Sequence, residues 1–134
     1  MSDPPTIGPV DGDALRRGDP EAYERVYRTH LEGVMRMLQL GFTYAAGGQK
    51  RFYRVASAFD REELCQEAFC VFFQQCQRGK FDTSRPIKPY LRQIVVNLAM
   101  RDARRHYRER IEATPVSELE GETPPDSVER EELI

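Results

Sequence analysis

Tyr23, Val26, Tyr27, Leu31, Val34, Met35 and Leu38 recur at steps of three and four residues. That period is helical and predicts an amphipathic helix with one buried face. Its start has a mechanism. Asp19 can accept from exposed backbone N–H groups, and Pro20 lacks the donor that would be orphaned there. Gly41 is placed to stop it. Upstream, residues 13–17 predict one short helical turn ended by Gly18. Pro4, Pro5, Gly8 and Pro9 mark residues 1–12 as a disordered lead. A second stripe, Leu64, Cys65, Ala68, Phe69, Phe72, Phe73 and Cys76, opens at Asp60 with Glu63 three residues on, a capping-box pattern. Gly79 ends it. A third, Ile87, Tyr90, Leu91, Ile94, Val95, Leu98 and Ala103, gives the buried face of a long helix reaching Arg110.

Residues 41–59 fit neither period. Gly41, Gly47 and Gly48 break any regular pattern, while Phe42, Tyr44, Phe52, Tyr53 and Phe59 are too apolar for a free linker. The segment reads as a loop or partly helical insertion whose aromatics lie against the core. A second reading makes Lys50, Arg51 and Arg54, interleaved with Phe52 and Tyr53, a surface for single strands. No strand alternation is apparent, so the expected class is all-α. The expected architecture is a compact bundle of three main helices over residues 13–112. In residues 113–134, Pro115, Gly121, Pro124 and Pro125 stand among acidic residues and no apolar face develops, which reads as a solvated tail or linker.

Composition sharpens this picture through charge. The net of −2 conceals segregation: residues 85–110 carry +6, residues 111–134 carry −7, and the remainder carries −1. A positive block on an acidic chain is a localised patch suited to a polyanion. No apolar run is long enough for a membrane span and no leader pattern opens the chain, so the expectation is a cytoplasmic protein without membrane insertion. Cys65, Cys70 and Cys76 are odd in number and fall at steps of five and six, which do not share a helical face. They read as buried or half-buried thiols, with neither disulfide nor metal. Nothing resembles a phosphate loop, a metal-binding His pair or a nucleophile with its base. The expectation is no enzyme and no cofactor.

On the third helix Arg101, Arg104, Arg105 and Arg108 recur at helical spacing and can follow a phosphate backbone. Asn97, one turn earlier, has the donor and acceptor that match a base edge. A solvated face would carry balancing acids, and only Asp102 and Glu109 are available. The exposed face of the second helix, with Glu63, Gln66 and Glu67, is unremarkable alone and gains weight from this neighbour. Between them Phe81, flanked by Lys80 and Asp82, reads either as a core plug or as a stacking platform for an unpaired base.

These segments together resemble region 2 of the bacterial RNA polymerase sigma factors, in particular the small extracytoplasmic-function group. Residues 18–27 look like that family's first helix. Glu63-Leu64-Cys65-Gln66-Glu67-Ala68-Phe69 matches its acid-Leu-x-Gln-Glu-x-Phe motif. Phe81-Asp82-Thr83-Ser84-Arg85-Pro86 resembles its Phe-Asp-x-x-Arg-Pro loop, and Tyr90-Leu91 through Asn97-Leu98-Ala99 its promoter-reading helix. The likeness covers residues 13–110. It implies a transcription initiation domain whose Glu63, Gln66 and Glu67, with Phe73 as an apolar neighbour, dock on the clamp coiled coil of the polymerase β′ subunit. Phe81, Asp82 and Ser84 would line a pocket for a base flipped from the −10 element. Asn97 would read a base, and Lys88, Arg92, Arg101, Arg104 and Arg105 would hold phosphates.

The implied partners are core RNA polymerase and promoter DNA, including its single-stranded −10 region, with room for an anti-sigma factor. The chain departs from the pattern at several points. Tyr90 stands where the family usually has Trp, and Val96 often corresponds to an arginine. Residues 41–59 exceed the usual connection, and no helix-turn-helix region for the −35 element follows. Two other readings compete: a truncated regulator that binds polymerase without productive promoter opening, and a helical protein-interaction module. The acidic tail beside the basic helix also reads as an intramolecular DNA mimic.

Overall fold

Two aspartates set the first helices. The Asp11 carboxylate accepts from the Asp13 backbone N–H at 3.0 Å and opens α1 (Gly12–Arg17). Gly18, at φ 78°, closes that helix by returning its N–H to the carbonyls of Ala14 and Leu15, a left-handed cap that glycine adopts without Cβ strain. Asp19 then accepts from the Glu21 N–H at 3.0 Å and Pro20 begins α2 (Pro20–Leu40). The computed structural model describes residues 11–113. The tail from 114 onward, and all of the lead except Asp11 and Gly12, lie outside the described residues.

Past Gly41 the all-α expectation needs correction. Strands β1 (Phe42–Ala46) and β2 (Gln49–Tyr53) pair antiparallel, with Phe42 opposite Tyr53 and Ala46 opposite Gln49. The turn is Gly47-Gly48, at φ 59° and 76°. Two consecutive positive-φ residues are what a two-residue primed hairpin requires. β1 does alternate, with Phe42 and Ala46 buried and Thr43 and Ala45 exposed, whereas β2 has no buried residue at all. The aromatics of residues 41–59 are accordingly divided. Phe42 is 5% exposed, but Phe52 is 62% and Phe59 68% exposed, contrary to the expectation that all lie against the core.

The next helix, α3 (Ala58–Gln77), starts earlier than its capping-box pattern suggests. Its cap is Ser57, whose Oγ accepts from the Asp60 N–H at 3.3 Å. Arg61 turns back to donate to the carbonyls of Val55 and Ala56 at 2.7 and 2.9 Å, which fixes the entry strap. Gly79, at φ 70°, turns the chain out, and the loop leads into α4 (Ile87–Ala113).

α3 packs against α1, α2 and α4. Tyr23 stacks on Phe73 with centroids 4.1 Å apart, and its hydroxyl lies 3.2 Å from the Leu15 carbonyl and 3.4 Å from that of Phe73. One side chain thus joins three helices. Deeper in, fully buried Phe72 meets Phe81 at 5.2 Å and Tyr90 at 6.1 Å. Burial of each such ring is worth about 1.5–3 kcal/mol. No helix among the described residues is long and apolar enough to cross a membrane.

Candidate functional site

The cations expected on α4 do not form one row. Asn97 follows Arg92 by five residues, about 140° around a helix of 3.6 residues per turn. Lys88 and Arg92 therefore belong to one side, and Asn97, Arg101, Arg104 and Arg105 to another. The centre of the helix is buried nearly all round through Ile94, Val95, Val96, Ala99 and Met100. Val96, at 2% exposure, is a core residue, so its position offers no phosphate contact. Arg92 reaches the hairpin and donates to the Thr43 carbonyl at 2.9 Å. Lys88 is exposed.

On the other side Asn97 is half-buried, and its Oδ1 accepts from the Gln93 side chain at 3.0 Å. Arg101 grips Glu67 of α3 with both terminal nitrogens, at 2.7 and 3.0 Å. It also donates to Asp102 at 2.8 and 3.0 Å, and Arg105 approaches the same Asp102 oxygen at 3.4 Å. The Arg101 guanidinium holds the Glu67 carboxyl below the usual carboxylate range. Bidentate charge-assisted pairing has both strength and fixed geometry. Glu67 and Arg101, which the family resemblance would give to different partners, are bonded to each other.

Along α3, Glu63 and Gln66 are exposed and Glu67 is half-buried. Cys70 is exposed, unlike Cys65 and Cys76, so the expectation of buried or half-buried thiols fails at that position. Burial pushes the Cys65 and Cys76 thiols up to about 11. Phe73 is half-buried and stacked on Tyr23, a contact that seats α3 on α2.

The loop resolves the two readings of Phe81. At 4% exposure, between Phe72 and Tyr90, it is the plug and leaves no ring face for a base. Above it the Asp82 carboxylate accepts from the Ser84 N–H at 3.0 Å and the Ser84 hydroxyl at 2.6 Å, which lowers its pKa. The Arg85 N–H closes the turn on the Asp82 carbonyl at 3.0 Å. Arg16 of α1 donates to Thr83 at 3.3 Å, and the bare Cα of Gly12 lets Thr83 come close. The loop is thereby held from below and from the side, with Asp82 and Ser84 exposed at its rim.

Sequence reasoning missed the Glu67–Arg101 and Thr43–Arg92 pairings, whereas Asp102, next to Arg101 and three residues before Arg105, was in view as a balancing acid. Of the missed pairings, only the one to the hairpin carrying Thr43 had a local signal, the Gly47-Gly48 pair between two five-residue runs. Among the described residues no group of three His, Cys, Asp or Glu side chains is placed to hold a metal ion. No protein-family model, curated protein or solved structure matches the chain.

Proposed function

We propose that this chain is a promoter-specificity domain of the sigma type, docking on the β′ clamp through α3 and engaging the −10 element through the loop and α4. The observation that supports the reading most is contiguity. The acid–amide face of α3 and the Asn97–Arg101–Arg104–Arg105 side of α4 meet edge to edge at the Glu67–Arg101 fork. A domain seated on polymerase by the first face would present the second at a fixed distance. The braced loop suits base capture. Flipping a base costs a few kcal/mol, and a rim whose Asp82 carboxylate and Ser84 hydroxyl are already ordered adds little further entropy loss. Those oxygens can accept from an exocyclic amine, while Phe81 supports the loop from beneath.

The pairing of Arg101 with Glu67 and Asp102, and of Arg105 with Asp102, favours a second reading: a self-neutralised face on a module that binds only proteins.

The test is binding of the full chain to the isolated β′ clamp coiled coil, read by protection of Cys70 from a maleimide, since Cys65 and Cys76 are buried. Glu63→Lys is the informative variant because Glu67→Lys would also strip Arg101. Saturable protection, weakened about tenfold or more by the charge reversal, is expected. A folded chain that gives no protection overturns the reading in favour of the interaction module. Docking without any −10 single-strand binding would identify the truncated regulator.

A further inference from the structure

The hairpin stands away from the C-terminal half of α4 and leaves a cleft of ≈ 380 Å³. Its floor is Met100 and Ala103, exposed to 1% and 8%. Tyr44 and Tyr53 supply the hairpin wall, and Tyr107 the helix wall. Arg110 and His106 are exposed at the mouth, with the Arg110 guanidinium carbon 5.5 Å from the Tyr107 ring centroid. The volume falls within the range of about 300–1,000 Å³ seen for small-molecule sites.

This cleft lies away from the Arg101 side. Arg92 and Arg110 are 18 residues apart, as are Lys88 and His106. That separation is five whole turns at 3.6 residues each, so each pair shares one azimuth of α4. The hairpin side of the helix therefore carries Lys88 and Arg92 toward its start and Arg110 at the mouth of the cleft, beside the three tyrosine rings. Cations alone would serve any polyanion. Rings alone would serve an apolar segment. Their combination over a small apolar floor suits a flat π system joined to a phosphate, because stacking tolerates any base and a guanidinium adds cation–π and charge attraction.

We infer that the cleft between the hairpin and α4 is a stacking site for one unpaired base of a single-stranded nucleic acid, with the adjoining phosphate beside Arg110. The inference does not rest on polymerase docking. It requires a strand rather than a duplex, because neighbouring bases stacked in a duplex cover both faces of each base.

The test is fluorescence anisotropy of the full chain with a labelled oligo(dT) of about 15 nucleotides. Tyr107→Leu keeps the apolar contact and removes the π face. It should weaken binding about tenfold, equivalent to about 1.4 kcal/mol, while Tyr107→Phe binds as the parent does. The salt dependence separates the roles. Its slope should stay unchanged in Tyr107→Leu and become shallower by about 0.7 in Arg110→Gln, the single-strand value per phosphate contact. An oligonucleotide with abasic linkers should bind the parent more weakly and no longer distinguish Tyr107→Leu from it. Unchanged oligo(dT) affinity in a folded Tyr107→Leu, or equal discrimination on the abasic strand, overturns the inference. Should that variant not fold, photocross-linking of the parent chain to 5-iodouracil-containing oligonucleotide decides. Adducts at Tyr44, Tyr53 or Tyr107 support the site, and adducts confined to other residues overturn it. Loss of strand binding on Arg104→Ala with none in the cleft variants would leave the proposed −10 face standing and remove this one.

Discussion

The loop and the hairpin each set a phenylalanine among cations, and the two rings end in opposite places. Phe81, beside Lys80 and near Arg85, is 4% exposed; Phe52, between Arg51 and Tyr53, is 62% exposed. Local composition does not decide the matter. Facing surface does. Phe72 and Tyr90 offer Phe81 a slot with centroids 5.2 and 4.7 Å away. Phe52 lies opposite Thr43, an exposed position of β1, and its ring comes to rest over Gly41. A similar stretch of sequence makes a keystone in one setting and a surface ring in the other.

The two rings should differ most in what their removal costs. Phe81→Ala should lose about 3–5 kcal/mol, the usual penalty for emptying a buried aromatic site, whereas Phe52→Ala should stay within about 0.5 kcal/mol as an exposed substitution. Urea titrations of both variants check this, and equal losses would show that the two rings are equally engaged. A smaller effect sharpens the hairpin side. Gly41 has φ 91° and ψ 172°, a region that only glycine occupies easily, and an added Cβ would meet the Phe52 ring. Gly41→Ala should cost about 1–3 kcal/mol from backbone strain. Adding Phe52→Ala should recover only the part due to the ring, which thermal melts of the double variant would resolve.

The smallest effect concerns the fork. Glu67 and Arg101 are 41% and 45% exposed, so solvent screening limits Glu67→Gln to a loss of about 0.2–1 kcal/mol at pH 7. The sign with pH is fixed by the lowered carboxyl pKa. A depressed acid contributes its full stability above its unfolded value, about 4.3, and loses it as pH falls through the folded one. The difference between parent and Glu67→Gln should therefore shrink below about pH 4, measurable by denaturation at a series of pH values.

Much of the helical frame was legible because its signals are local. Asp19-Pro20 and Gly41 bound α2 as their chemistry dictates, and the stripes of α3 and α4 mark their buried faces. The start of α3 was misplaced at Asp60, because Ser57, three residues earlier, is an equally competent cap. Arg61, by anchoring the carbonyls of Val55 and Ala56, holds the strap that leads into the earlier one. The hairpin escaped notice because β2 buries nothing and so writes no alternation into the sequence. At the site, residue types could be read but pairings could not. Glu67 and Arg101 are 34 positions apart, and only packing of α3 on α4 brings them together. Phe81 shows the same limit, since its burial depends on Phe72 and Tyr90 rather than on its neighbours in the loop.

The fork has a thermodynamic consequence. A polyanion that draws Arg101 away releases the Glu67 carboxylate toward any basic partner, and a basic partner that takes Glu67 releases Arg101. Through this exchange each ligand favours the other, and linkage requires the factor to be the same in both directions. Its size is bounded by the strength of an exposed pair, about 1 kcal/mol or a few-fold in affinity. Through this contact alone, singly occupied states would be disfavoured relative to the empty and doubly occupied ones, so a single arginine would confer a modest cooperativity on any two ligands that took the two faces separately.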